Sequence, residues 1–517
     1  MAEVSRTARV IQNAKVALFF YCINLILQFF SKKIFLDYLG AELLGLNTTA
    51  QNLLQFLNLA ESGIGTAVAF ALYKPLSQGN RQEIIDIVSL QGWFYRRVGG
   101  VVIFGSFVLM LFFPWIFNKT EVPLIYVYGT FISFLISSLL GYFVNYKVIV
   151  LSADQKEYKI TFETQSVKVI KVFIQMLAIW KLPCGYVWWM IIEVIASLVN
   201  SYRLSLCVKK EYPWLNTEIS QGTNLVFKRA FLLLKIKQYF CHKMGSFVLL
   251  QFTTLLIYFF SSLTQVAIYG NYLLIMSSCF LLMAAISQSM QASVGNVVAT
   301  KDKRQVKEVF WEIFTFKLFF TGYISCGFYL LSDSFISLWV GSEYKLSQPT
   351  LVLLILVYFV EMSYAGDIFF KAYGLFKDIW APIVQSLICV VLSCILGYSY
   401  GISGVLGGVL ISQVIIKIGW KSYFLYHECL NEKIFEYIYM YIRKLVLLSL
   451  LLFCICISYH SLVTIQSQSI TTWFFVATML TILYFAIGIV LFYLLDDSFN
   501  HLVKRFLYAW KNKTSRY

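Results

Sequence analysis

The sequence predicts an all-α polytopic membrane protein with about fourteen transmembrane helices, and three observations support this fold class. Of the 517 residues, 59% are hydrophobic and only 13% are charged. The mean hydropathy of +0.73 is typical of a chain that crosses a bilayer many times. Apolar runs of roughly 20 residues, enough to span a bilayer, alternate with short charged connectors. We predict two pseudo-symmetric six-helix lobes followed by two extra C-terminal helices.

The predicted spans follow one another with short connectors. They lie at 14–36, 43–73, 89–113, 124–147, 160–180, 185–207, 240–264, 268–297, 310–332, 349–371, 380–398, 402–424, 444–461 and 471–494. We group them into an N-lobe of six spans, a cytoplasmic linker, a C-lobe of six spans, and a last pair of helices with a basic tail. The boundaries of these regions are 1–207, 208–239, 240–430 and 431–517.

The basic residues predict the orientation of the chain. The net charge is +16, and the cations lie mainly in the connectors between apolar runs. All but five of the 42 lysines and arginines fall on one side of the predicted spans, which marks that side as cytoplasmic. Both termini are therefore predicted to be cytoplasmic, and the positive charge needs no nucleic-acid partner. The five exceptions are Lys32, Lys33, Lys119, Lys181 and Lys345.

Cofactor and enzyme signatures are missing from the sequence. The 11 cysteines form no CxxC pair, and the four histidines have no metal-ligand spacing, so we predict no disulfide framework, metal site or cofactor. There is no nucleotide-binding loop, no GxSxG and no HExxH motif. The sequence predicts a protein that is not an enzyme.

The second predicted span carries a polar face. At 100° per residue its polar side chains fall within about 100° of arc, with Thr48 and Glu61 at the borders. Such a face avoids lipid, because unsatisfied polar groups in hydrocarbon cost several kcal/mol each. It therefore lines a water-filled cavity, which we favour, or forms hydrogen bonds between helices. The residues of this face are Asn47, Gln51, Gln55, Asn58, Ser62 and Thr66.

Three other spans have similar polar faces, and four such helices, two in each half, predict a cleft between the halves. On the first span the face comprises Arg6, Arg9, Asn13, Asn24, Gln28 and Ser31. On the seventh it comprises Lys243, Gln251, Thr254, Tyr258, Ser261 and Gln265. On the eighth it comprises Asn271, Ser278, Ser289, Ser293 and Asn296.

The two halves also share a weak sequence repeat. The second span and its connector Gly79-Asn80-Arg81-Gln82-Glu83 are echoed by the eighth span and its connector Lys301-Asp302-Lys303-Arg304-Gln305. Asn47 and Asn271, and Arg81 and Arg304, recur at the same separation to within one residue. This repeat indicates two lobes of the same hand.

Two lysines in the fifth span need a polar environment. Lys168 and Lys171 lie about 12 and 16 Å into the span, at 1.5 Å per residue from Ile160. A charge at that depth facing lipid costs a few kcal/mol or more, so we predict that both lysines form a basic cavity wall. The alternative is a span that starts deeper, which leaves both lysines at the surface.

Acidic residues within the spans are few. Glu61 and Glu361 are predicted to be protonated or neutralised by lysines, and either state suits ion coupling. Glu193 adjoins Trp188 and Trp189, which favours an anchor at headgroup level. Asp367 is one turn from Lys371, which predicts a surface ion pair between these two residues.

Two motifs carry a resemblance to a known family. They are Leu59-Ala60-Glu61-Ser62-Gly63-Ile64-Gly65, followed by Leu72-Tyr73-Lys74-Pro75-Leu76, and Leu151-Ser152-Ala153-Asp154-Gln155-Lys156-Glu157-Tyr158. With them the chain resembles bacterial polysaccharide flippases of the Wzx type, within the multidrug/oligosaccharidyl-lipid/polysaccharide exporter superfamily. The two extra helices are similar to those of the lipid II flippase branch.

The resemblance implies a V-shaped pair of lobes in the bacterial cytoplasmic membrane that moves an undecaprenyl-pyrophosphate-linked sugar repeat by alternating access. It implies membrane lipids, a coupling H⁺ or Na⁺ ion and a polysaccharide polymerase as partners. Gly63 and Gly65 are expected to form a hinge, with tight helix packing as the alternative. The cations expected to bind the pyrophosphate are Arg6, Arg9, Lys168, Lys171 and Lys243. The expected cavity-lining residues are Asn24, Gln28, Gln51, Gln55, Asn58, Ser62, Gln251, Ser289 and Ser293.

Two other functions remain open. A drug/cation antiporter has the same fold, but a cation-rich, acid-poor cavity argues against cationic drugs. A membrane polysaccharide polymerase or ligase belongs to a different class, and we expect such an enzyme to need an external loop longer than 332–348, the longest external connector predicted here.

Overall fold

The computed structural model describes residues 6–61, 63–218, 252–373, 378, 380–430, 432–462 and 469–514, and the regular elements in these ranges are all helical. Ten helices among the described residues are long and apolar enough to cross a membrane. The fold is that of an all-α polytopic membrane protein, as the sequence predicts. The chain divides into two compact units, Met1–Ala267 and Ile268–Tyr517. The predicted linker at 208–239 lies mostly outside the described residues.

The first unit consists of nine described helices and two short 3₁₀ turns. The helices are α1 (Arg6–Asn58), α2 (Ile64–Gln78), α3 (Arg81–Leu111), α4 (Phe113–Ile116), α5 (Leu124–Phe143), α6 (Ile149–Ala153), α7 (Glu157–Lys181), α8 (Gly185–Glu211) and α9 (Thr253–Phe260). The 3₁₀ turns are Leu59–Glu61 and Asn145–Val148.

Two glycines interrupt the long first segment of this unit. Gly40 has φ 83° inside α1 and lies between the predicted first and second spans. Gly63 has φ 97° and precedes α2 after the 3₁₀ turn Leu59–Glu61. The predicted span 43–73 is therefore not one continuous helix. Its polar face, drawn at 100° per residue, holds only as far as Asn58.

Helix α7 lies at the centre of the packing in the first unit. It packs against both α1 and α8, and α5 packs against α1 and α8 in turn. Helix α2 packs on α3 and on the short α6, which brings the break at Gly63 near the start of α7. The ends of α1 and α5, the middle of α3 and the short α6 line one polar space.

The second unit contains the remaining helices and two π-helical stretches. The helices are α10 (Leu263–Thr300), α11 (Lys303–Trp339), α12 (Gln348–Ser363), α13 (Gly366–Tyr373), α14 (Trp380–Gln413), α15 (Ser422–Phe424), α16 (Ile434–Leu462), α17 (Ile470–Leu495) and α18 (Asp497–Thr514). The π-helical stretches are Val414–Lys421 and Leu425–Leu430.

Helix breaks also occur in the second unit. Gly401 has φ 56° inside α14 and separates the predicted spans 380–398 and 402–424. The predicted span 349–371 is broken between α12 and α13, where Tyr364 is extended at ψ 121°. Breaks of this kind free backbone groups that need a partner within the protein.

Helix α11 forms the core of the second unit. It packs against α12, α16, α17 and α18. Its aromatic side chains are buried among those of the π-helical stretch Leu425–Leu430 and of α16 to α18. For example, Phe319 contacts Tyr484, Phe492 and Phe499 at ring-centroid distances of 5.2 to 5.4 Å. The last two predicted spans are thus packed into this unit.

The sequence repeat has a structural counterpart. The side chain of Asn80 accepts a hydrogen bond from Glu83 N at 3.2 Å and caps α3. The side chain of Asp302 accepts one from Gln305 N at 2.9 Å and caps α11 in the same way. The helices that contain the third span of each predicted lobe, 89–113 and 310–332, therefore both begin with a side-chain N-cap.

Candidate functional site

A polar chamber lies beside the break at Gly63 in the first unit. It consists of two adjoining cavities of about 520 and 580 Å³ that share Asn58, Glu61 and Tyr95. The larger of the two also contacts Gly63, Gly65 and Thr66, at the start of α2. The helix break therefore exposes side chains that a continuous helix would turn away.

Most of the residues that line the 520 Å³ cavity carry an amide or a hydroxyl, and no lysine or arginine of the described part of the chain lines it. Its acidic members are Glu61 and Glu157. Its neutral polar members are Asn58, Gln91, Tyr95, Ser137, Ser138, Tyr142, Asn145, Tyr146, Ser152, Thr164, Ser197 and Asn200. These side chains can accept hydrogen bonds and attract cations.

Two tyrosines hold the polar side chains in place. Tyr95 OH donates to Glu61 Oε1 at 2.9 Å, and Tyr142 OH donates to Asn58 Oδ1 at 2.9 Å. Ser138 also donates to Asn58 Oδ1 at 2.9 Å. In the described part of the chain Glu61 has no basic partner within 4.0 Å, which makes it a half-buried carboxylate without a counter-charge.

The predicted basic wall of α7 has a different structure. Lys171 forms an ion pair with Glu193 at 2.8 Å, and Gln175 donates to the other oxygen of Glu193 at 3.1 Å. Glu193 is only 7% exposed, so the expectation of a headgroup anchor is wrong. Its carboxylate is buried because it neutralises Lys171. Neither Lys168 nor Lys171 lines the polar chamber, and Lys171 borders an apolar groove between α7 and α8.

Lys168 differs from its neighbour. Its side chain is half-buried, and among the described residues it has no hydrogen bond or ion pair. Of the predicted pyrophosphate ligands whose side chains are described, it is the one whose ammonium is available. The side chains of Arg6 and Arg9 are not described, and Lys243 lies outside the described residues.

The predicted cavity-lining residues fall into two groups. Asn24 is buried and donates to Gln165 Oε1 at 3.1 Å, so it links α1 to α7 and serves the alternative role of interhelical hydrogen bonding. Gln28 is half-buried, whereas Gln51 and Gln55 are exposed and Asn58 lines the chamber. Predicted residues that lie outside the described residues or side chains are Ser62, Gln251, Ser289 and Ser293.

The second unit places Glu361 in an ion pair. Lys417 contacts Glu361 at 2.6 Å, and Gln413 donates to the same carboxylate at 3.2 Å. Of the two states predicted for Glu361, the structure shows the one neutralised by a lysine. The pairing expected between Asp367 and Lys371 is wrong, because Asp367 pairs with Lys421 at 3.3 Å and Lys371 is exposed.

Buried lysines of the second unit escaped the sequence analysis. Lys317 donates to the carbonyl oxygen of Tyr364, which the break between α12 and α13 frees. Lys444 is 1% exposed and is surrounded by Asp496 and Thr315. The predicted spans contain Lys317, Lys417 and Lys444. A cation inside a span needs a partner, and this rule could have identified all three lysines.

The fold has been seen in two kinds of transporter. No protein-family model matches the sequence, and no curated protein matches it at a significant level. A solved structure of the lipid II flippase MurJ in an inward closed conformation is 16% identical, with a TM-score of 0.58 over 92% of this chain and 98% of that chain. An inward-facing multidrug resistance MATE family transporter of the MOP superfamily is 11% identical, with a TM-score of 0.57 over 81% and 98%. The chain therefore has the fold that these two proteins share.

Proposed function

We propose that this chain is a Wzx-type flippase that moves an oligosaccharide on undecaprenyl pyrophosphate across the bacterial cytoplasmic membrane by alternating access. The observation that carries the proposal is the polar chamber of the first unit, built from amides and hydroxyls between membrane-spanning helices. Sugars are recognised through such groups. The fold shared with a lipid II flippase supports the proposal, as does the excess of basic residues on the side that holds both predicted termini.

The pyrophosphate would bind to cations outside the chamber. Lys168 is the residue that best fits this role, because its ammonium has no partner in the described part of the chain. Lys171 would have to exchange Glu193 for a phosphate oxygen. Arg6, Arg9 and Lys243 remain proposed ligands on the basis of their sequence positions.

Coupling to an ion gradient is assigned to the first unit. Glu61 is a half-buried carboxylate without a counter-cation and is therefore suited to bind H⁺ or Na⁺. Glu361 is less suited, because Lys417 already neutralises it. Gly63, at the helix break, is the residue about which the Glu61 segment would move.

A drug/cation antiporter is the second candidate. In the described part of the chain the chamber has two carboxylates and no basic residue, so the predicted excess of cations that argued against cationic drugs does not apply to these lining residues. The fold shared with a MATE family transporter is compatible with this alternative.

Reconstituted proteoliposomes separate the two candidates. One assay follows the transfer of a fluorescent undecaprenyl-pyrophosphate-linked oligosaccharide between leaflets, and the other follows efflux of an organic cation such as ethidium. We expect transfer of the lipid-linked sugar and no ethidium efflux. Lys168→Ala should reduce sugar transfer about 10- to 100-fold, the effect of losing one charge-assisted hydrogen bond of about 1.5–3 kcal/mol.

The matched control is Lys181→Ala, at the C-terminal end of α7. The ammonium of Lys181 lies 3.7 Å from the centroid of the Trp180 ring. This variant should transfer the lipid at the wild-type rate. Ethidium efflux without transfer of the lipid-linked sugar would refute the flippase proposal. Equal rates for the two lysine variants would refute the role of Lys168.

A further inference from the structure

Two side-chain oxygens in the wall of the chamber beside Gly63 have no hydrogen-bond donor among the described residues. Gln91 is 2% exposed, and its Oε1 atom is buried without a hydrogen-bond partner. Asn200 Oδ1 is likewise buried and unpartnered. Both residues line the 520 Å³ cavity, together with Glu61. A buried acceptor without a donor costs free energy, so these atoms favour a ligand that donates hydrogen bonds.

The electrostatic character of the wall narrows the ligand further. Glu61 and Glu157 contribute two carboxylates, and among the described residues no lysine or arginine lines either cavity of the chamber. Two like charges about 4 Å apart near a protein surface repel by roughly 1–4 kcal/mol. A carboxylate or phosphate group is therefore disfavoured in this space, which distinguishes the chamber from the proposed pyrophosphate site at Lys168.

The size of the cavity is also suitable for a sugar. The cavity volume of about 520 Å³ is within the roughly 300–1,000 Å³ of small-molecule sites. Tyr95 and Tyr142 are 7% and 3% exposed and pack edge to face, with 5.5 Å between their ring centroids. Their hydroxyls hold Glu61 and Asn58 in the wall.

We propose that this chamber binds the saccharide part of the transported lipid and selects uncharged sugars over acidic ones. The hydroxyl groups of a neutral hexose would donate to Gln91 Oε1, Asn200 Oδ1 and Glu61. A uronic acid would instead place a carboxylate opposite Glu61 or Glu157. The inference rests on the proposed flippase function for its ligand, and it adds a substrate class that the fold does not specify.

The test measures equilibrium binding to the full chain in nanodiscs, without any ion gradient. The probes are two short-chain polyprenyl-pyrophosphate disaccharides that differ only in the terminal residue, a hexose in one and the corresponding hexuronic acid in the other. A third probe is the same lipid pyrophosphate without sugar. We expect the neutral disaccharide to bind about tenfold or more tightly than either of the other two.

Two variants locate the selectivity in the chamber. Glu61→Gln should narrow the difference between the neutral and acidic probes, because it removes one repelling charge. Gln91→Met should weaken binding of the neutral probe about tenfold, because methionine is similar in size to glutamine but lacks the acceptor oxygen. The matched control is Gln175→Met, since Gln175 is also a buried glutamine, at 5% exposed, but lies outside the chamber. Thermal unfolding of each variant confirms that it is folded.

The outcomes separate this inference from the proposed function. Equal or tighter binding of the acidic probe to the wild-type protein would overturn the inference, as would equal binding of the probe without sugar. Gln91→Met and Gln175→Met with the same affinity for the neutral probe would also overturn it. If the neutral probe binds selectively but is not transferred across proteoliposomes, the saccharide site stands and the flippase function fails.

Discussion

The neighbouring lysines of α7 show how the surroundings of one side chain determine its role. Lys171 is compensated by Glu193, and Gln175 adds a hydrogen bond to the same carboxylate. Lys168 has no such partner in the described part of the chain, although it is half-buried. A compensated charge stabilises a helix pair, whereas an uncompensated one costs free energy that a ligand can offset.

Loss of the lysine should therefore lower stability at position 171 but not at position 168. Lys171→Met and Glu193→Gln should each lower the free energy of unfolding by about 2–3 kcal/mol, because each leaves a partly buried group without its partner. The double variant should lose less free energy of unfolding than the sum of the losses in the two single variants. Lys168→Met should leave stability unchanged or raise it slightly, although we expect it to reduce transport.

Reversible unfolding in mixed micelles, followed by tryptophan fluorescence, measures these free energies. A double variant whose loss equals the sum of the single losses would contradict the pairing. A clear loss of stability in Lys168→Met would show that Lys168 has a structural partner.

At the scale of helices, positive φ angles at glycines determine where the long segments break. Gly40, Gly63 and Gly401 have φ angles of 83°, 97° and 56°, which residues with a Cβ atom rarely adopt. The breaks at Gly40 and Gly401 lie between successive predicted spans. The break at Gly63 instead falls inside a predicted span and exposes the chamber.

The neighbouring glycines 63 and 65 provide a matched pair for testing this break. Gly63→Ala should destabilise the protein by about 1–2 kcal/mol, because alanine is strained at φ 97°. It should also slow transport, since the position of Glu61 depends on the break. Gly65→Ala should be tolerated, because Gly65 is helical and an added Cβ would meet only Tyr95 OH, at 3.5 Å. Unfolding free energy and proteoliposome transport measure the two effects, and equal behaviour of the two variants would contradict a special role for Gly63.

Over the whole molecule, the two units share an N-cap pattern but differ in their charges. Asn80 and Asp302 cap corresponding helices. In the first unit Glu61 has no basic partner among the described residues, whereas in the second unit Lys417 neutralises Glu361. The sequence repeat thus coexists with a difference in charge pairing between Glu61 and Glu361.

We predict that the ion dependence of transport resides in the first unit. Glu61→Gln should abolish stimulation of transport by a pH or sodium gradient, because the amide no longer binds either cation. Glu361→Gln should keep the stimulation and lower stability instead, since it leaves Lys417 without its counter-charge. Initial rates in proteoliposomes with imposed gradients test this assignment, which fails if Glu61→Gln retains the wild-type gradient response.

The sequence predicted the fold class and several helix junctions because both follow from local properties. Apolar length identifies spans, and connectors near Gly40 and Gly401 separate them. The break at Tyr364 was not predicted, because the apolar residues on both sides give 349–371 the length of a single span, although Glu361 and Asp367 lie beside the break. Backbone geometry at such a point depends on a distant side chain, that of Lys317.

Ion pairs between helices were the least predictable part of the site. Helical periodicity shows which residues of one helix share a face, but it does not show what another helix places opposite. The pairing of Lys171 with Glu193, and of Asp367 with Lys421 in place of Lys371, therefore required the structure. The polar stripe was predicted from Asn47 to Thr66, but the helix on which it was drawn ends at Asn58, so the prediction does not hold beyond that residue.

The surroundings of Lys444 have a consequence for the carboxyl-terminal end of the protein. Its ammonium is held by Asp496 and Ser498, which follow the last predicted span, and by Thr315 in the central helix α11. A chain shortened at Leu495 would strand a cation deep inside the second unit, although it would keep every predicted crossing. The segment after the final crossing is thus an integral part of the folded unit and is not a dispensable extension.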